Sequence, residues 1–294
     1  MPDIYAHHEN PLSEEEWELI NQIVIDVARR KLVGRRIIDI HGPLGPGIQT
    51  IIHEHFAGTT PGRIGLLGEQ DSDPVRSVRR ESASIPIIYK DFVIHWRDIE
   101  SSRQNRIPLD PSIAAAAAAF CADREDDLIF NGDSEMNCEG LMTVDGRNTL
   151  KRRDWKVSGN AFSDVVDATE LLINSGHYGP YAMVVSPVLY SQMHRVHQGT
   201  NVLEIEHIRE LITDGVYQSP LLASGTGVIV ATGKSNFDLA VAQDLTVAYL
   251  GAENMNHPFR VFESVYLRIK RHNAICTLEP GPEEEHREPR RRGK

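Results

Sequence analysis

Residues 51–88 read IIHEHFAGTTPGRIGLLGEQDSDPVRSVRRESASIPII. Glycines and prolines run throughout, and the apolar pieces between them are short. A structureless loop of this length is rare inside a compact domain. The segment is therefore expected to form a long β-hairpin projecting from the body, with strands near 51–56 and 75–88. Such a hairpin exposes unpaired backbone edges and partly apolar faces, which usually need a partner. Assembly is the first functional expectation.

The rest of the chain bounds what such an assembly could be. Its 294 residues are 40% hydrophobic and 25% charged, ordinary values for a globular protein able to bury a large core. The formal charge of -11 argues against a nucleic-acid binder, whose usual footprint is a basic face. No apolar stretch approaches the roughly 20 residues needed to span a bilayer, so no membrane role is expected. The start, MPDIYAHHENP, has no basic region leading into an apolar one, and no secretory signal is read there. Cys121, Cys138 and Cys276 have no CxxC spacing and read as reduced, buried residues of a cytosolic protein.

The elements alternate in kind. Ser13 and Glu16 form a capping box, with Leu12 and Trp17 as its hydrophobic staple. Apolar residues at 17, 20, 24, 27 and 28 then trace one helical face, stopping near Gly34. GRRIIDIHGPLGPG (34–47) lacks the Gly-Lys-Ser/Thr of a phosphate loop and the GxGxxG of a dinucleotide site, and reads as a turn-rich connection. SIAAAAAAFCADREDDLIFNG (112–132) is a thin alanine-rich helix. Its acidic run, Asp123, Glu125, Asp126 and Asp127, is expected to be solvated or interface-facing. Further helices are expected over 162–176, 187–197 and 203–215. Strands are expected over 181–186, 227–232, 238–243, 245–251 and 259–271, an α+β pattern. Residues 280–294 are polar, proline-broken and expected to be disordered.

Thirteen histidines invite a search for metal chemistry. His53 and His55 would share a strand face, and His194 and His197 a helix face, but neither pair has a third ligand nearby or an HExxH motif. Around Trp96, the stretch KDFVIHWRDIESSR (90–103) gathers Asp91, His95, Asp98 and Glu100. Alternation of Phe92, Ile94 and Trp96 against Val93, His95 and Arg97 predicts a strand, which splits that cluster across two sides. No GxSxG elbow and no kinase or β-lactamase signature occurs. No catalytic residue and no metal site is nominated, and an enzyme is not expected.

Six segments carry a resemblance: LVGRRIIDIHGPLGPG after the capped helix, IPIIYKDFVIHWRDIE, EDDLIFNGDSEMNCEGLM, GHYGPYAMVVSP, AVAQDLTVAYLG and FRVFESVYLRIK. In this order they resemble an encapsulin, a bacterial compartment shell protein of the linocin-like family. The likeness is to those of iron-storing myxobacterial compartments. It implies an α+β phage-capsid fold of the HK97 type. Residues 1–50 and 89–142 would belong to a peripheral (P) domain, 51–88 to an extended (E) loop and 143–237 to an axial (A) domain. Residues 238–279 would be P-domain strands and 280–294 the tail.

Function by this resemblance is self-assembly into a hollow icosahedral nanocompartment of about 60, 180 or 240 copies, 180 favoured. The shell would enclose a cargo protein bearing a short terminal targeting peptide. A ferritin-like iron oxidase is the first expectation and a peroxidase the next, for iron storage and protection from oxidative stress in the cytoplasm. The resemblance places peptide docking at Arg35, Ile37 and Asp39; the alternative is plain strand residues with Ile37 in the core. It places the five-fold pore loop at His197, Gly199, Thr200 and Asn201, with iron ions passing through the pores. No cofactor is required. A flavin stacked on Trp96 is the one chemical option, against packing at a subunit contact. A prophage major capsid protein and a metal-dependent hydrolase are the alternative functions. Residues 51–88 contain no lysine to form an isopeptide link to a neighbour. Heating assembled protein in SDS should therefore release only monomer, and a persistent covalent ladder would count against this reading.

Overall fold

The computed structural model describes residues 5–6, 9–57, 62–68, 70–105, 107–197, 199 and 201–281, and of 55–57 the backbone alone. Helix α1 (Glu14–Lys31) starts where the capping box predicts. Ser13 Oγ accepts from the Glu16 amide at 3.2 Å, and Glu16 Oε2 accepts from the Ser13 amide at 2.9 Å. Its buried face is Trp17, Ile20, Val24 and Ala28. A 3-10 turn at Gly34–Arg36 then leads into the two-residue strand β1 (Ile40–His41).

Strands β2 (Thr50–Ala57) and β3 (Arg76–Ser84) pair antiparallel with each other as a two-stranded sheet. This is the expected hairpin, with one correction. The expected second strand, 75–88, is two strands, because the chain leaves the hairpin at Ile85-Pro86 and β4 (Ile87–Ile94) joins another sheet. The strand expected to continue through Arg97 also stops at Ile94, and Trp96 opens helix α2 (Trp96–Asn105). Helix α3 (Ser112–Asn131) follows; Ala114, Ala117, Ala118 and Ala122 lie on its buried side, where small residues let neighbours approach.

Strands β5 (Asn148–Lys151), β6 (Tyr181–Val185), β7 (Val216–Gln218), β8 (Gly227–Ala231), β9 (Phe237–Tyr249), β10 (His257–Ile269) and β11 (Ile275–Glu279) complete the sheets. One sheet runs β1-β9-β10-β4, the other β5-β11-β8-β6-β7. Helices α4 (Asn160–Asn174), α5 (Pro187–Met193) and α6 (Glu204–Leu211) accompany the second sheet, each near its expected position. The strands expected separately at 238–243 and 245–251 are the single strand β9, interrupted by a register shift opposite Glu263. The last strand, β11, pairs with β8 and β5. Residues 275–279 thus sit in the second sheet, not with β9 and β10 as the domain expectation had it. The tail expected to be disordered lies, from residue 282 on, outside the described residues.

Strand period explains how two cores share one wall. In β6, Ala182 and Val184 face the core built on α1, α3 and the first sheet, whereas Met183 and Val185 face a second core around Trp155, Val165 and Ile205. Strand β8 divides the same way, Val228 and Val230 against Ile229 and Ala231. Both faces being covered, every residue of β6 and β8 is buried.

The helical layer is wired to the first sheet by buried charge. This corrects the acidic-run expectation: Glu125 is fully buried and Asp126 nearly so. Arg35 donates to Glu125 through Nε at 2.7 Å and Nη2 at 2.8 Å, to Glu263 through Nη2 at 2.9 Å and to Asp244 through Nη1 at 2.7 Å. Glu263 and Asp244 face it because the register of β9 and β10 shifts there, a β-bulge that re-aims side chains. Burial, then the neighbouring Glu125, pushes the Glu263 carboxyl well above the ordinary range. Asp126 accepts from the Val33 and Gly34 amides at 2.9 and 2.8 Å, closing off the turn that positions Arg35.

Arg35→Ala leaves two buried carboxylates without their cation and should cost about 3–5 kcal/mol. Adding Glu125→Gln and Glu263→Gln should recover part of it. Denaturation midpoints at fixed protein concentration check this, and an unmoved midpoint for Arg35→Ala would sink it. Burial outweighs the two amide bonds at Asp126 and pushes its pKa up to about 6. Its folded pKa then lies above its unfolded one, so between about pH 4 and 6 the folded chain holds the extra proton. Stability from this group falls as pH rises through that window, by up to about 1.4 kcal/mol per pH unit. Asp126→Asn should flatten the difference, measured as midpoint against pH for both proteins.

Candidate functional site

Among the described residues, no three or more His, Cys, Asp or Glu side chains converge to hold a metal ion. All three cysteines are free and buried, and burial pushes Cys121 and Cys276 up to about 12 and Cys138 to about 11, far from a thiolate at neutral pH. The cluster around Trp96 disperses. Asp91 is held by Arg260 at 2.6 and 2.9 Å, a bond that lowers its pKa, and Glu100 faces Arg103 at 3.4 Å. Trp96 itself is half-buried, with His95 stacked 5.9 Å away and the Arg97 guanidinium 5.5 Å from its ring centre. Of the histidine pairs, His194 lies just past α5 and bonds the Tyr190 carbonyl at 2.9 Å, so it shares no helix face with His197. The His55 side chain is outside the described residues.

Apolar exposure is concentrated instead. Ile64 and Leu66, between β2 and β3, are as exposed as in an extended chain (104% and 103%), and Leu67, Val75, Ile52 and Val78 are exposed with them. On β4 the even positions Ile88, Phe92 and Ile94 are buried, whereas Ile87, Tyr89 and Val93 face outward. Strand β4 is also an edge of its sheet. A two-stranded hairpin is marginal alone in water, and contiguous exposed apolar surface marks an interaction site.

The docking residues fare unequally. Arg35 is locked into its carboxylates and Ile37 is buried in the first core. Asp39 is exposed beside exposed Ile40, on β1, the other edge strand of the first sheet. Asp39 already accepts the Leu239 amide at 2.9 Å through its carbonyl, leaving the opposite edge of β1 outward.

The pore-loop residues fall where α5 turns into α6. Val196 and Leu203 bridge, and the His197 amide donates to Val202 at 2.8 Å. The His197 ring packs against His207 (5.3 Å) and Phe162 (6.5 Å), and buried Glu204 accepts the Phe162 amide at 2.9 Å. These contacts pin the loop's base to α4 and α6, while Gly199 and Asn201 are exposed. Thr200 lies outside the described residues. Sequence reasoning missed the anchoring pair His207 and Phe162, although the four-residue step from His207 to Leu203 could have marked that face.

Comparison with known proteins agrees with this geometry. The family described as "encapsulating protein for peroxidase" matches residues 2–266. A type 1 encapsulin shell protein of Myxococcus xanthus is 56% identical over 279 residues, 95% of this chain and 97% of that protein. A diheme-cytochrome-encapsulin shell fusion protein of Kuenenia stuttgartiensis is 44% identical, over 91% of this chain and 74% of its own. A ferritin-like-encapsulin shell fusion protein of Pyrococcus furiosus is 25% identical, over 74% of this chain and 58% of its own. Among solved structures, the virus-like particle from Pyrococcus furiosus superposes with a TM-score of 0.72 at 20% identity, covering 90% of this chain and 99% of that one. The capsid of Myoviridae phage XM1 does so at 0.62 and 12% identity, over 83% and 89%. The fold is thus the HK97-like capsid fold, and with a family match across most of its length and 56% identity to one member, the chain belongs to the encapsulin shell proteins.

Proposed function

We propose that the chain builds the shell of a hollow icosahedral compartment in the cytoplasm and has no catalysis of its own. The observation that carries this is the lone hairpin β2–β3, where Ile52, Ile64, Leu66, Leu67, Val75 and Val78 find no cover among the described residues. A heterologous contact, hairpin of one copy on the body of the next, closes into rings, and many weak contacts add up by multivalency. About 180 copies is the size favoured here. We read the P domain in the first sheet, the A domain in the second and the E loop in the hairpin, a division supported by the sheet order, with β11 taken into the axial part.

Cargo is read as a ferritin-like iron oxidase, with a peroxidase as the other occupant. Support comes from the ferritin-like domain fused to one relative and from the family's description. The net charge of -11 favours drawing Fe²⁺ toward the shell. The loop bearing Gly199 and Asn201 would line the five-fold pore. For the targeting peptide we take the docking site to be the outer edge of β1 at Asp39 and Ile40, a reading supported by their exposure on an edge strand, where an extended peptide can add as a strand. A flavin would have to displace Arg97 from Trp96, so a packing role at a subunit contact is the better-supported reading of that ring.

Size-exclusion chromatography with electron microscopy tests the shell: hollow particles in the megadalton range are expected, and a monomer or dimer peak overturns it. Co-expression with a ferritin-like protein carrying a terminal peptide should give filled particles. Ile40→Glu should empty them without preventing assembly, and undiminished loading would remove the docking assignment.

A further inference from the structure

A cationic concavity lies at the root of the hairpin. A cavity of about 580 Å³ opens between β2–β3, the turn from β8 to β9, and the end of β10. Arg80, Lys234, Arg268, Lys270 and Arg271 line it. Two carboxylates answer these five cations: Glu54 pairs with Arg80 at 2.6 Å, and Asp238 pairs with both Arg268 and Lys270 at 2.6 Å. Five positive against two negative charges leaves three in excess, on a chain whose formal charge is -11. Among the described residues the side chains of Lys234 and Arg271 have no carboxylate partner, and both are exposed.

The backbone that carries these cations is held in place. The Lys270 and Arg271 amides both donate to the Asn236 carbonyl, at 2.8 and 3.0 Å, and Lys270 Nζ donates to the Lys234 carbonyl at 2.6 Å. Asn236 is itself buried, its Nδ2 donating to the Ala231 carbonyl at 2.8 Å. The turn carrying Lys234 and Ser235 is therefore clamped to the end of β10, and Arg80 faces both from the hairpin. Convergent, preorganised Lys and Arg donors with excess charge recognise oxyanions, phosphates above all. The volume exceeds what one phosphate fills and falls within the usual range of small-ligand sites.

We propose that this cavity binds a multivalent phosphate-class oxyanion, bridged between Lys234 and Arg271 on the body and Arg80 on the hairpin. This site is independent of which cargo is enclosed. The test uses assembled full-length particles in phosphate-free buffer, titrated calorimetrically with inorganic phosphate and with pyrophosphate. Saturable binding of pyrophosphate, tighter than phosphate and weakened by added chloride, is expected. The Lys234→Ala/Arg271→Ala double variant should lose about 100-fold in affinity, roughly tenfold per cation removed. Arg271→Gln alone should lose about tenfold, and the distant, exposed Lys156→Ala should change nothing. Absent or unsaturable binding, or equal affinity in the double variant, overturns the proposal. Loss of particles in both Lys234→Ala/Arg271→Ala and Arg271→Gln also overturns it, because the cations would then serve an acidic surface of a neighbouring copy.

Discussion

One guanidinium, that of Arg35, organises the half of the molecule from which the hairpin springs. It is held by Glu125 of α3, by Glu263 of β10 and by Asp244 of β9. A buried ion cluster is weak evidence for net stability, because desolvation cancels most of the Coulomb gain. It is strong evidence about geometry, since every partner missing from its place leaves an expensive buried charge. The turn after α1, the face of α3 and the bulge between β9 and β10 must therefore meet in one arrangement. Once they do, β10 fixes β4, and β4 fixes where the chain enters and leaves the hairpin. The surface that faces other copies is thus positioned by a contact buried well away from it.

Much of this was legible locally. The capping box of α1 and the alanine helix come from interactions within a few residues, the hairpin from the length of its Gly/Pro-rich segment, and the resemblance gave the capsid fold. What was missed involves partners distant in sequence. Glu125 was read as solvated because it stands in an acidic run, yet it lies four residues from both Cys121 and Ile129, which are buried. The helical face carried the signal, and composition overrode it. Its partner Arg35 is 90 residues away, which no local pattern reveals. Strand β9 was split for a similar reason, since Gln243-Asp244 looks like a break and is a bulge aimed at Arg35.

Trp96 illustrates the opposite error. Period-two alternation ran on from β4 by coincidence into the first turn of α2, and the supposed two-sided strand ended at Ile94. Of the docking residues that the resemblance implied, Arg35 is tied to buried carboxylates and Ile37 lies in the first core, because alternation says which residues share a face but not which face is covered. Asp39 is exposed beside β1, and that β1 is an edge strand is a property of topology and not of sequence pattern.

Polar and apolar obligations are discharged in different places. Buried charges are mostly satisfied inside one chain, through Arg35, Asp126 and Asp238. Most of the hairpin's apolar surface, by contrast, has no cover among the described residues. A two-stranded ribbon with Ile64 and Leu66 fully in water gains little from its own pairing. Its order must then come from binding, so hairpin stability and shell assembly are one linked equilibrium that depends on protein concentration. The body needs no such help, because β6 and β8 are covered on both faces by its own two cores. A chain divided in this way can fold its body first and leave its hairpin to be fixed by a neighbour.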